Sequence, residues 1–179
     1  MKPLLALARA IDAVNDRFGW AAMWMVMLAT LVSALNATIR YAVDMSSNAW
    51  LELQWYLFAG VVMLGAPTVL RLNEHVRVDV VYARLAPRTK AWIDLLGMVF
   101  FLLPGAVLIC VMAWPWFVDS FATHEMSGNS GGLLRWPAKL AMPVGFGLLA
   151  LQGVSEIIKR VGYLAGRFEM NVQYEKPLQ

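Results

Sequence analysis

The chain has 179 residues, 60% of them hydrophobic and 15% charged, with a formal net charge of +3. That length is one domain, and four apolar runs use up so much of it that no separate soluble core can be built. No block of Lys and Arg alternates with aromatics, which excludes a nucleic-acid surface. The single cysteine, Cys110, has no intrachain disulfide partner.

Residues 3–17 come first and are not a span. Leu4, Leu7, Ile11, Val14 and Phe18 recur every three or four residues, while Lys2, Arg9 and Asp16 fall off that stripe. The pattern predicts an amphipathic helix lying at the membrane interface. Anchoring in lipid and docking on a partner both explain it.

The first span is about 18–39, and its apolar core is too long for a secretory signal. The second, about 53–70, is the shortest. The third, about 92–118, is the longest, and Pro104 near its middle predicts a kink. The fourth, about 138–158, carries Pro143 and Gly145 early, with Trp136-Pro137 placed to open the helix. Each run suits about 30 Å of hydrocarbon at 1.5 Å per residue. Small residues and prolines inside the spans fit either close packing among the helices or a groove for a partner subunit.

The connectors carry the remaining signals. Arg71 to Ala91 interleaves apolar and charged residues, including Glu74, His75, Arg77 and Asp79, and predicts a short interfacial helix ended by Pro87. An isolated strand there would leave its edges unpaired. Residues 127–132, rich in Gly and Ser, mark a turn or flexible tip. Twelve of the fifteen Lys and Arg lie in the N-terminal segment, the middle loop and the C-terminal tail. By the positive-inside bias those parts are cytoplasmic. The loops at 40–52 and 119–137 then face outward.

The fold class expected is therefore an all-α integral membrane protein. It has four transmembrane helices, two interfacial helices, both termini inside, and a tail over 159–179. Chemistry has little foothold on it. An ion path, proton pump or redox unit needs polar groups at membrane depth, and no Asp, Glu, Lys, Arg or His sits mid-span. The histidines, His75 and His124, fall on opposite sides and cannot pair around a haem or metal. No catalytic triad, phosphate loop or paired-Cys motif is present, so no enzymatic activity and no cofactor or metal is expected.

An ordered set of motifs on this frame carries a resemblance. Glu52-Leu53-Gln54-Trp55-Tyr56 opens span two, with Gly65-Ala66 near its end. Arg71-x-x-Glu74-His75-Val76-Arg77-Val78-Asp79 follows, then Leu85-Ala86-Pro87. Trp136-Pro137-Ala138-Lys139 and Pro143-Val144-Gly145-Phe146 complete it. Over about residues 15–160 the chain resembles the small membrane subunit, or Q subunit, of tripartite ATP-independent periplasmic (TRAP) transporters.

The resemblance implies a bacterial inner-membrane scaffold subunit of a sodium-coupled transporter taking up organic acids, carboxylates or sulfonates. Its partners would be a large elevator-type membrane subunit, a periplasmic substrate-binding protein and the lipid bilayer. Glu52, Glu74, His75, Arg77, Asp79, Pro104, Pro143 and Gly145 are the candidate contacts for the large subunit. Ser46, Asn48, Glu125, Ser127, Ser130 and Arg135, in the outward loops, are the candidate contacts for the binding protein. The alternative is a four-span structural or anchor protein of another inner-membrane complex.

Overall fold

The structure is a computed structural model that describes residues 1–45, 47–74, 82 and 84–169. In chain order the described helices are α1 (Lys2–Val43), α2 (Asn48–Leu72), α3 (Pro87–Gly97), α4 (Leu103–Ala122) and α5 (Trp136–Leu164). A π-helical turn, Met98–Leu102, joins α3 to α4 in one continuous rod. Four stretches are long and apolar enough to cross a membrane: α1, α2, the α3–α4 rod and α5. Among the described residues the chain is all helical apart from one isolated β-bridge.

The separate interfacial helix expected over 3–17 is corrected. α1 runs unbroken from Lys2 to Val43. No residue in that stretch interrupts a helix, and Gly19, the nearest one that could, packs against Thr68 of α2. The buried positions of α1 are Ala8, Asn15, Ala22, Ala29 and Asn36, a strict seven-residue repeat. Such a repeat keeps one face on its neighbours when helices supercoil left-handed, and its small side chains let the helices approach closely. α1 lies on α5 along its first turns, where the Ser155 hydroxyl donates to the Ala8 carbonyl at 3.2 Å. Further on it lies along α2, where Ala22 faces Gly65.

α5 is the hub: it packs against α1, α2, α3 and α4. Gly145 shows how. A Cβ there would sit 2.6 Å from the Met63 Cβ and 2.7 Å from its carbonyl oxygen. That carbonyl is four residues before Pro67, which has no N–H to donate to it. So the backbone of α5 is seated where α2 has a proline inside its helix. Pro143 and Gly145 are both buried here. They pack the chain against itself, and the partner groove considered for them from sequence is absent from these two positions.

Pro104 acts through the π turn. The Leu103 N–H reaches back to the Met98 carbonyl, a five-residue step, and Pro104 stands in the first turn of α4 with its ring exposed. The expected irregularity in span three is thus a widened turn. Pro87 opens α3 from its first turn, where a missing N–H costs nothing; most of the element expected to end at it lies outside the described residues. Pro137 opens α5 in the same way.

Candidate functional site

Polar side chains gather at the two ends of this bundle. At the hairpin end, Glu52 in the second turn of α2 is only 4% exposed. Its carboxylate accepts from the Asn129 amide at 2.8 Å, from the Leu133 backbone N–H at 2.7 Å, and from the Ser127 hydroxyl. Three donors from one loop therefore converge on one side chain. The Asn48 amide adds a fourth tie, donating to the Ser130 carbonyl at 2.9 Å.

The loop itself is a small hairpin. Ser127 N–H donates to the Leu133 carbonyl and Arg135 N–H to the Glu125 carbonyl, each at 2.9 Å, flanking the Met126–Leu134 bridge. Gly131 turns the tip with φ +69, a left-handed value that suits glycine. At its base Glu125 pairs with Arg135 at 3.2 Å and with Lys139, whose ammonium also sits 4.5 Å from the Trp116 ring centre. The hydrogen bond from Lys139, reinforced by Arg135, holds the Glu125 carboxyl down at about 2, against an ordinary 4.5.

Of the residues expected to meet a binding protein, Asn48, Glu125, Ser127, Ser130 and Arg135 are thus brought together in one cap. Ser46 lies outside the described residues. Glu52, expected at the large-subunit contact, belongs to this cap, because its carboxylate is filled by the hairpin. Glu74 is exposed just past the end of α2, its N–H on the Val69 carbonyl at 3.1 Å. His75, Arg77 and Asp79, with most of the interfacial helix expected around them, lie outside the described residues.

The opposite, terminal end holds a network that the span-by-span reading did not assemble. Asp12 of α1 accepts from Gln152 at 2.9 Å, Ser155 at 2.7 Å and Lys159 at 3.1 Å, all on α5. Gln152 in turn accepts from the Asn15 amide at 2.7 Å. Glu156 pairs with Lys159 and Arg160. Arg160, 1% exposed, continues to Asp94 of α3 at 3.1 Å and to Asn73 beyond α2 at 3.4 Å. The Tyr82 hydroxyl donates to the other Asp94 oxygen at 2.9 Å. Asp16 and Arg71 add an ion pair between α1 and α2. One connected system therefore joins α1, α2, α3 and α5. Its signal was present in α5: Gln152, Ser155, Glu156, Lys159 and Arg160 recur at helical spacing and line one face.

Between these ends the described spans hold no Asp, Glu, Lys, Arg or His. Among the described residues no group of three or more His, Cys, Asp or Glu is placed to hold a metal ion. The arrangement suits holding helices and a loop in place.

A family model described as "Tripartite ATP-independent periplasmic transporters, DctQ component" matches residues 29–162. The chain belongs to the DctQ family. It is a small (Q) permease subunit of a TRAP transporter, a multi-pass membrane component that works with other TRAP components. No curated protein and no solved structure matches it. The matched region takes in the hairpin cap, the whole of α2 to α4 and α5 through Gly162. It starts within α1, beyond the Asp12 clamp. Membership decides against the reading as an anchor for some other membrane complex.

Proposed function

We propose that this DctQ subunit is the stationary scaffold of a sodium-coupled transporter that takes up organic acids delivered by a periplasmic binding protein. The observation that carries the reading is the distribution of polar groups. The spans are apolar through their centres, while both ends are tied by buried hydrogen bonds and ion pairs. A permeation path would need polar groups at membrane depth. A body that resists the sliding of a neighbouring elevator subunit needs rigid ends and an apolar, lipid-compatible flank.

In this reading both termini and the Asp12–Arg160 network are on the cytoplasmic side of the inner membrane, and the hairpin cap faces the periplasm. The Lys and Arg asymmetry supports that orientation. The cap is the surface offered to the loaded binding protein, with Ser130 and Asn129 exposed at its tip. The large subunit carries substrate and sodium, and the exposed flank of the third span around Pro104 is offered to it.

The test is reconstitution into liposomes under an inward sodium gradient. Uptake is expected when this subunit, its large partner and the binding protein are all present, and none with this subunit alone. Accumulation driven by this subunit alone would refute the scaffold. A photo-crosslinker at Ser130 is expected to capture the binding protein during uptake.

A further inference from the structure

A helical turn that steps back five residues in place of four leaves a carbonyl without a partner, and a proline beside it leaves another. In the third span the Leu103 N–H goes to the Met98 carbonyl. Pro104 has no N–H to give. The Ala106 N–H goes to Leu102, the residue that caps α4. Only the Gly105 N–H is left for the carbonyls of Val99, Phe100 and Phe101. At least two of these three therefore have no donor within the helix. The nearby side-chain donors are spent elsewhere, Cys110 on the Pro143 carbonyl and Arg160 on Asp94 and Glu156.

These carbonyls lie at the depth of the hydrocarbon. Trp92 and Trp114, both exposed, stand about 33 Å apart along the rod. That matches about 30 Å of hydrocarbon between two aromatic belts. Phe100 is then about 12 Å inside the nearer belt. Lipid chains offer no donor there, and a backbone carbonyl without one is costly in hydrocarbon. Elsewhere the chain shelters what a proline frees. The Met63 carbonyl, freed by Pro67, lies under Gly145 of α5. Lys139, whose carbonyl Pro143 frees, is buried at the base of the hairpin. Pro115 frees the carbonyl of Val111, about 5 Å from the Trp114 belt, where water is close. No described residue covers the π turn in this way. Phe100 is 66% and Phe101 80% exposed, and a Cβ at Gly97 or Gly105 would meet nothing within 4 Å. Gly97, Phe101 and Gly105 line an open groove of about 500 Å³ that also touches Leu70 and Phe146.

We infer that the π turn is a docking site within the membrane. A helix of the transporter's large subunit lies along the groove between Gly97 and Gly105 and donates a hydrogen bond from a hydroxyl or amide side chain to the freed carbonyls. The two missing side chains let a foreign backbone come close, and the donor answers acceptors that lipid cannot. The chain is a component that works with other TRAP components, and the large subunit is the membrane-spanning one among them in the scaffold reading. The inference rests on that reading, which offers this flank to the large subunit, and adds the chemistry that meets it.

The test reads the carbonyls directly. Val99–Phe100, Phe100–Phe101 and Phe101–Leu102 are each the only pair of their kind in the chain. Isotope labelling of carbonyl carbons and amide nitrogens by residue type therefore isolates each carbonyl in solid-state NMR of nanodiscs. In the small subunit alone, at least two of the three are expected at upfield, unbonded positions. In the complex with the large subunit, at least one is expected to move downfield. A variant that fills the groove, Gly105→Leu, is expected to weaken the complex about tenfold in Kd. The thermal unfolding midpoint of the small subunit alone should not fall, since the added side chain enters open space. Three bonded carbonyls in the small subunit alone would overturn the inference. So would unmoved carbonyls in an intact, co-eluting complex, a downfield move produced by self-association, or undiminished affinity in Gly105→Leu; each leaves the scaffold standing. Failure of the two subunits to co-elute at all would sink both.

Discussion

At the hairpin end, one carboxylate gathers three donors from a single loop; at the terminal end, a run of acids, amides and cations ties together helices far apart in sequence. Glu52 fixes a local shape, since its ligands Ser127, Asn129 and Leu133 lie within one turn of chain. Arg160 fixes a global one, since Glu156, Asp94 and Asn73 belong to α5, to α3 and to the end of α2. The difference teaches what each end is able to lose. The cap can come loose while the bundle persists, whereas losing Arg160 leaves two acids short of a cation where the helices meet.

The largest effect is therefore expected from Arg160→Ala. It takes the Arg160 cation from Asp94 and leaves Glu156 with Lys159 alone, and should cost about 3–5 kcal/mol, read as a lowered midpoint of thermal unfolding in detergent. Next comes Gly145→Ala, which pushes a methyl into the Met63 backbone. It should cost about 1–3 kcal/mol by the same measurement, without changing hydrogen exchange in the hairpin. Glu52→Gln should do the reverse. It replaces an acceptor of three donors with an amide that brings donors of its own, so exchange and proteolysis within 123–135 should quicken while the unfolding midpoint stays close to wild type. A cooperative collapse of the whole bundle in that variant would erase the distinction between the two ends.

The smallest effect is one of pH. The Glu125 carboxyl is held at about 2 in the folded chain, against an ordinary 4.5. Its ion pairs with Lys139 and Arg135 are therefore fully in place above pH 4.5, and their contribution is lost as pH falls toward 2. Clipping of the hairpin by an acid protease should rise across that window. The rise should be flattened in Glu125→Gln, which has already lost the charge.

Much of this architecture was legible from residue patterns. The four spans were visible because hydrocarbon tolerates few polar groups, and each observed helix contains the run read from sequence. Pro137 was visible because a residue without an N–H sits well in the first turn of a helix. The cap residues were visible as a group, Asn48 through Arg135, although the partner that assembles them, Glu52, was placed elsewhere. Glu52 was read as the residue opening span two and as a contact for the large subunit, because nothing in its own stretch of chain points to the hairpin. Only the fold brings it under Leu133, 81 positions away.

The terminal network escaped for a related reason. Asp12 meets Lys159 across 147 positions, and the amphipathic stripe of 3–17 gave no sign that its other face was already taken. Residues 3–17 also read as a separate helix because a change from charged to apolar composition looks like a boundary. The backbone has no reason to break there.

The π turn in the third span gives that rod a slack link. Met98 and Ala106 are both buried, yet eight residues of ordinary α-helix would set them about 80° apart. The wider turn absorbs one residue and returns the two halves to the same side. Removing a single position between Val99 and Phe101 should then shorten the rod without rotating α4 away from α5. The same deletion anywhere else in that span would throw every later side chain out of phase.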